Sequence, residues 1–333
     1  MAYKLRRLVI KPTLACTANC PSCSLRLELY ESRKQAQQAE LSPDHWLNVI
    51  EEAHQLGCND LHISGGEPLL YPQIGALVRR ATRLGMHTNI NTNGSRIGPE
   101  IAQELENAGL QGITVSMYSW RASTHDRMRK ETGLFDRALQ AIRYIKAHTS
   151  IRVDLQTILG RANLLEFDKF LAFAFDLGVG HVYVSYMEGA LRNPWLPTND
   201  QIGIFRDLTL PRVERTIRKH ASAQIRRKAL QKAQAMFSDD PVRKKELSEG
   251  SYFPNRIPTC PKPYNFALVL ASGEVHPCNG VEYAHEPIMG NVKDHALKEI
   301  WENDIWQEFR QQRHEWCQQC PMTLHFSIPI SSP

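Results

Sequence analysis

Leu8-Val9-Ile10-Lys11-Pro12-Thr13-Leu14-Ala15-Cys16-Thr17-Ala18-Asn19-Cys20-Pro21-Ser22-Cys23 sets a short apolar run directly before three thiols spaced Cys-x3-Cys-x2-Cys. The run predicts a β-strand, which puts the cysteines in the loop at its end. In parallel β/α architectures the loops after the strands line the active face. Three thiols is one short of what a structural zinc site or a fully held iron–sulfur cube takes. A cluster held by three thiolates keeps one iron open to a small-molecule ligand. The motif therefore points to chemistry rather than to structural support.

Residues 7–186 alternate short strand-like runs with amphipathic segments. The runs are Leu8–Ile10, Leu61–Ser64, His87–Asn91, Ile113–Ser116, Ile151–Leu155 and His181–Ser185. Between them helices are expected from Ser42-Pro43 to Gly57, from Gln73 to Gly85, from Pro99 to Gly109, over Phe135–Ala147 and over Leu164–Leu177, with Ser42 as cap and glycines as stops. Six such repeats imply a parallel sheet with right-handed crossovers. That leaves an open six-unit barrel or a doubly wound sheet. Residues 196–250 carry no strand-like run and read as a helical connector. Phe266–Leu270, Ala271-Ser272-Gly273 and Glu274-Val275-His276 read as a β-hairpin, followed by a helix over Ala296–Arg310 and a Cys317-x2-Cys320 knuckle. No ordered element is expected after Thr323.

The composition is that of a soluble protein, with 42% hydrophobic and 23% charged residues. No apolar run approaches the roughly 18–20 residues that span a bilayer, and no cleavable signal stands at the start. A cytoplasmic location is expected, with no membrane partner. In reducing cytosol, clustered cysteines read as metal ligands or catalysts. Net charge is +5, but between Arg212 and Lys245 eleven Lys or Arg face only Glu214, Asp239 and Asp240. Such a stretch can attract acidic partners, although a solvated helix face explains it as well.

Four successive strand ends carry polar motifs on one face: the cysteines, Ser64-Gly65-Gly66-Glu67-Pro68, Asn91-Thr92-Asn93-Gly94 and Ser116. With the stretch from Val115 through His125-Asp126 to Gly133-Leu134-Phe135, their order and spacing resemble the radical SAM superfamily. The resemblance implies that Cys16, Cys20 and Cys23 hold a [4Fe–4S] cluster whose open iron binds S-adenosylmethionine (SAM). It implies that Glu67, with the backbone of Gly65 and Gly66 beside Pro68, receives the methionine ammonium. Ser116 and the Asn91-Thr92-Asn93 turn would contact carboxylate or ribose, and Glu188 or Arg192 would touch adenine or substrate. Ser22 departs from the pattern, since an aromatic or apolar residue usually precedes the third cysteine, and this leaves the adenine contact open.

The C-terminal cysteines resemble the family's SPASM or shorter twitch module. Cys260, Gly273, Cys278, Met289–Val292, Leu297–Trp301 and Cys317-x2-Cys320 follow in the family's order. The extra cysteines of a second auxiliary cluster are missing, so Cys260, Cys278, Cys317 and Cys320 would close the shell of one auxiliary [4Fe–4S] cluster; a four-cysteine zinc knuckle is the alternative. Only Cys58 is left over, before the second strand at the end away from the cluster, as a small core residue. With no thiol to spare, net oxidation, cross-linking or elimination is favoured over thiol-quenched epimerisation.

We therefore expect an α/β protein: a partial (β/α)6 TIM-like barrel over 1–195, a basic helical connector over 196–250, and a small α+β cluster-binding module over 251–333. The expected cofactors are SAM and two [4Fe–4S] clusters, with an external electron donor such as flavodoxin or ferredoxin. The favoured activity is hydrogen abstraction from a sugar, aminocyclitol or nucleoside, the auxiliary cluster taking up the substrate electron. The alternative is cross-linking, oxidation or epimerisation of a ribosomally made peptide. From another class, a metal-bearing nucleic-acid binder is disfavoured, because Phe237 is the only aromatic in the basic stretch.

Overall fold

The computed structural model describes residues 3–23, 40–187, 194–220, 223–249, 260–279, 288–316 and 325–330. Six strands, β1 (Arg7–Ile10), β2 (Asp60–Ile63), β3 (His87–Thr92), β4 (Gly112–Ser116), β5 (Arg152–Leu159) and β6 (His181–Tyr186), lie side by side in chain order and all parallel. A doubly wound sheet would reverse its strand order at a switch point. This one does not, so the fold is the open barrel. Between the strands run α1 (Pro43–Gln55), α2 (Ile74–Arg83), α3 (Pro99–Ala108), α4 (Ala122–Arg129), α5 (Leu134–His148) and α6 (Phe167–Leu177). Their ends obey local chemistry. Ser42 Oγ accepts from His45 N, Pro43 opens α1, and Gly109 closes α3 with φ +84°.

Period-two alternation sorts each strand's side chains. Leu8, Ile10, Leu61, Ile63, Ile113 and Leu155 face the helices in the main apolar core. Asp60 and His62, Asn89 and Asn91, Thr114 and Ser116, Asp154 and Gln156 have the opposite parity and make the concave inner face polar. Thr114 Oγ1 donates to Asn89 Oδ1 (3.1 Å) and Asn91 Nδ2 to Gln156 Oε1 (2.8 Å) across it. At the strands' N-terminal ends Arg7 pairs with Asp60 (Nε to Oδ2, 2.7 Å) and Arg152 with buried Asp154 (3.0 Å). The C-terminal ends stay available for the loops that carry the motifs.

Four features depart from the sequence reading. Helix α4 was not anticipated. The helix expected over Ala296–Arg310 is two. After α7 (Asn199–Ile204), whose helix passes through a π-turn at Phe205–Thr209 into α8 (Leu210–His220), the connector continues as α9 (Ala223–Met236) and α10 (Pro241–Glu249), and a single turn α11 (Lys262–Asn265) leads to β7 (Phe266–Val269) and β8 (Glu274–His276). Then α12 (Leu297–Glu302) stops at extended Asn303, whose Oδ1 accepts from Trp306 N (2.8 Å) to start α13 (Asp304–Trp316). The tail after Thr323 is not without structure: β10 (His325–Pro329) pairs antiparallel with the free edge of β6 and buries Ile328. Finally, β7 pairs parallel with β1, so the hairpin and β9 (Gly290–Asn291) extend the same ten-stranded sheet, ordered β10-β6-β5-β4-β3-β2-β1-β7-β8-β9. Among the described residues no helix is long and apolar enough to cross a membrane.

Candidate active site

The loop after β1 and the loop after β2 are zipped together by backbone. Gly66 N donates to Thr13 O (2.9 Å) and Glu67 N to Ala15 O (2.7 Å). A side chain at either glycine would not fit: a Cβ on Gly66 would stand 2.2 Å from Ala15 O, and one on Gly65, whose φ is +132°, 2.6 Å from Thr13 O. The glycines are thus what lets the cysteine loop lie on the Gly-Gly-Glu turn.

Glu67 is fully buried at the centre of the strand ends. Its carboxylate accepts from Thr92 Oγ1 (2.6 Å), Asn93 N (2.7 Å) and Leu69 N (3.2 Å). Burial pushes its pKa up, and these three donors oppose the shift. Pro68 opens a short turn over Pro68–Leu70. Asn93 Nδ2 then reaches the cysteine loop, donating to Thr17 Oγ1 (2.9 Å) and lying 3.9 Å from Cys16 Sγ. Thr17 Oγ is bonded in turn to Ser95 Oγ (2.8 Å). The structure therefore gathers Cys16, Gly65, Gly66, Glu67, Thr92 and Asn93 into one network. Asn91 and Ser116 stand beside it on the inner face, joined through Gln156, which pairs with Ser116 in register.

Cys20 is buried, Cys16 and Cys23 are half-buried, and all three pack with Ala18 and Leu134. No three Cys, His, Asp or Glu side chains among the described residues stand at the spacing of a single metal ion. Instead the three thiols share the electrostatic influence of one buried cation, the Arg129 guanidinium. Burial alone would lower the Arg129 pKa, and Cys20, Tyr118, Cys16 and Cys23 together hold it above its ordinary value. Burial pushes the Cys16 thiol up to about 11, opposed by the Ala18 N–H and Arg129 and reinforced by Glu67 and Cys20. Such thiols ionise when metal replaces their protons. A three-thiolate donor set beside a buried cation fits an iron–sulfur cluster, with its net negative charge.

Arg129 was not found from the sequence. It is 7% exposed, lies over the Tyr118 ring at 4.6 Å, and its Nε has no hydrogen-bond partner. Its backbone O accepts from Asn19 N (3.2 Å), which ties α4 to the cysteine loop. The signal was its i,i+4 spacing from His125 on one helix face. His125 and Asp126 themselves are structural. Asp126 accepts from Gly133 N (2.6 Å) and Phe135 N (2.9 Å) to start α5, and His125 Nδ1 accepts from Tyr118 N (3.1 Å). Cys58, as expected, sits buried at the opposite end, against Arg6 O and Asp60 O. Glu188, Arg192, Cys317 and Cys320 lie outside the described residues, while Cys260 (half-buried) and Cys278 (buried) flank the β7–β8 hairpin.

Burial, with Arg129 adding to it, pushes His125 down to about 3. An unfolded histidine takes its proton near 6.5, so as pH falls the unfolded chain binds first. Stability from this group is complete above that value and falls by roughly 1.4 kcal/mol per pH unit down to the folded pKa. His125→Gln keeps an acceptor for Tyr118 N–H. We expect the stability gap between the two proteins in urea to narrow by about 2 kcal/mol from about pH 7 to pH 5; a constant gap would refute the assignment.

Comparison with known proteins agrees with this geometry. The family model for the Radical SAM superfamily matches residues 10–174, and that for the SPASM iron–sulfur cluster-binding domain matches 260–321. The chain is 29% identical over 301 residues to PqqA peptide cyclase of Gluconobacter oxydans, spanning 88% of this chain and 75% of that protein. It is 27% identical over 307 residues to AdoMet-dependent heme synthase of Methanosarcina barkeri, spanning 90% and 82%. In fold it matches Streptococcus suis SuiB, solved with its precursor peptide SuiA, at a TM-score of 0.67 and 14% identity, covering 97% of this chain and 71% of that one. The cofactor set of such a protein is SAM with two [4Fe–4S] clusters. A three-thiol loop on a partial barrel, followed by a cysteine-bearing module on the same sheet, is accounted for by one assignment: the chain belongs to the radical SAM superfamily and carries a C-terminal SPASM domain.

Proposed function

We propose that this radical SAM enzyme modifies a peptide. The observation that carries the reading is the likeness to PqqA peptide cyclase, which runs through both the barrel and the cluster-binding module. The sugar or nucleoside substrate favoured from the sequence gives way to its alternative on that ground. The likeness to a heme synthase keeps a non-peptide substrate as the second reading.

Cys16, Cys20 and Cys23 would hold the SAM-binding cluster, and Cys260, Cys278, Cys317 and Cys320 the auxiliary one. Held by these residues, a reduced cluster with bound SAM would supply a 5′-deoxyadenosyl radical for hydrogen abstraction. The chain's own residues orient the nucleotide. The buried Nε of Arg129 has no hydrogen-bond partner, and charge-assisted pairing would suit the methionine carboxylate. Glu67 fixes the Asn93 turn and offers a fully buried carboxylate at the strands' C-terminal ends to the methionine ammonium, with Gly65, Gly66 and Pro68 shaping the approach. Asn91, Thr92, Ser116 and Glu188 would meet ribose, carboxylate or adenine. A reducing compartment such as the cytoplasm, with an external one-electron donor, suits both clusters.

The test is anaerobic. Protein holding about eight irons per chain is mixed with SAM, reductant and size-fractionated extract. Peptide fractions should stimulate 5′-deoxyadenosine formation and emerge with altered mass. Stimulation by the small-molecule fraction alone would favour the second reading.

A further inference from the structure

The second cysteine module has a buried polar group that its secondary structure does not use. In the β7–β8 hairpin Leu268 pairs with His276 and Val269 with Val275, while Leu268 pairs with Val9 of β1. Val9, Phe266, Leu268 and Leu270 form an apolar cluster of their own on the inner face, and Val275 belongs to the main core on the other side. Alternation thus puts His276 on the concave face, at the height of Val9. It is 2% exposed, and neither Nδ1 nor Nε2 has a hydrogen-bond partner. Glu274 Oε2 stands 3.8 Å from Nε2, an ion-pair distance for a protonated ring but longer than a hydrogen bond.

Two residues on is buried Cys278, and beside it the buried Asn279 Oδ1 also lacks a partner. Buried polar atoms are paired in the great majority of cases. Three orphans within four residues, around one cysteine, ask for a polar occupant. Because β8 runs antiparallel to β7, it ends with His276 at the level of Leu268 and Val9, heading away from Ile10. The cysteines after β1 stand beyond the strands' C-terminal ends, and β8 runs away from that end towards Cys278, which follows two residues after His276.

We propose that His276 donates a ring N–H hydrogen bond to a sulfur of the auxiliary cluster at Cys278 and so sets that cluster's reduction potential. This rests on Cys260 and Cys278 being cluster ligands. A donor to cluster sulfur favours the reduced, more negative state and raises the potential. It would thereby govern how readily the cluster takes an electron.

The test is an electron-paramagnetic-resonance redox titration in a Cys16→Ala, Cys20→Ala, Cys23→Ala background, where one cluster of four irons should remain. His276→Phe should lower the midpoint by an amount equal to at least a tenfold change in the reduced-to-oxidised ratio, about 59 mV for one electron. His276→Asn, which keeps an N–H donor, should recover most of it. If His276→Phe does not hold iron, His276→Leu takes its place. An unchanged midpoint with full iron, as expected if a buried water alone pairs with His276, overturns the proposal. So does an equal drop in His276→Asn. A background that retains no iron defeats the two-cluster reading itself and is told apart by metal analysis before any titration.

Discussion

Gly66→Ala is expected to abolish SAM cleavage and to lower iron from about eight to about four per chain. The added methyl would lie 2.2 Å from Ala15 O and 2.6 Å from Leu14 O. Both are backbone atoms of the cysteine loop, held there by Gly66 N to Thr13 O and Glu67 N to Ala15 O. Relief requires the loops to part, which costs both hydrogen bonds, about 0.5–1.5 kcal/mol each, on top of about 1–3 kcal/mol of overpacking. The loss falls on the first cluster alone, because the hairpin cysteines stand elsewhere. Gly98→Ala is the control. No atom lies within 4 Å of its would-be Cβ, so it should keep its iron and lose only about 1 kcal/mol of capping. Iron analysis and 5′-deoxyadenosine formation decide the matter. A Gly66→Ala protein with full iron would show that the two loops can separate freely.

Arg129→Met should weaken SAM binding by about 30-fold or more. Removing one partner of a buried charge pair costs roughly 2–5 kcal/mol, and each 1.4 kcal/mol is tenfold. Met keeps most of the stem that packs on Tyr118 and removes only the charge and the fork. Arg129→Lys restores charge without the planar geometry and should fall between. Equilibrium binding of SAM to iron-loaded protein measures both. Unchanged affinity in Arg129→Met would mean that another group holds the carboxylate, leaving Arg129 as a counter-charge to the thiolates alone.

Much of this was legible in the sequence. Parallel strands covered on their outer face need apolar runs, so Leu8–Ile10, Ile113–Val115 and Val182–Val184 announce themselves, and the motifs at their ends stand out by position. Helix α4 does not. Ala122-Ser123-Thr124-His125-Asp126-Arg127-Met128-Arg129 is nearly all polar, and His125 and Arg129 are buried by specific partners rather than by hydrophobicity. With the helix unseen, Arg129 was unseen too. Strand β10 has a different cause: Ile328 and Pro329 look like a tail until the free edge of β6 is supplied. Gln156 needed the β4–β5 register to bring it opposite Ser116. In each case the missing information was the identity of a distant partner.

The pairing of β1 with β7 joins residues 259 positions apart, Arg7 with Phe266. The first strand of the chain is therefore a central strand of the finished sheet, with β2 on one side and β7 on the other. During synthesis it must wait, one edge bare, until the hairpin emerges; such distant pairing makes for slow, late completion. Barrel and hairpin should then melt in one transition. A lesion that loosens the hairpin would be felt at the first cysteines, and a shortened chain would lose both metal centres rather than one.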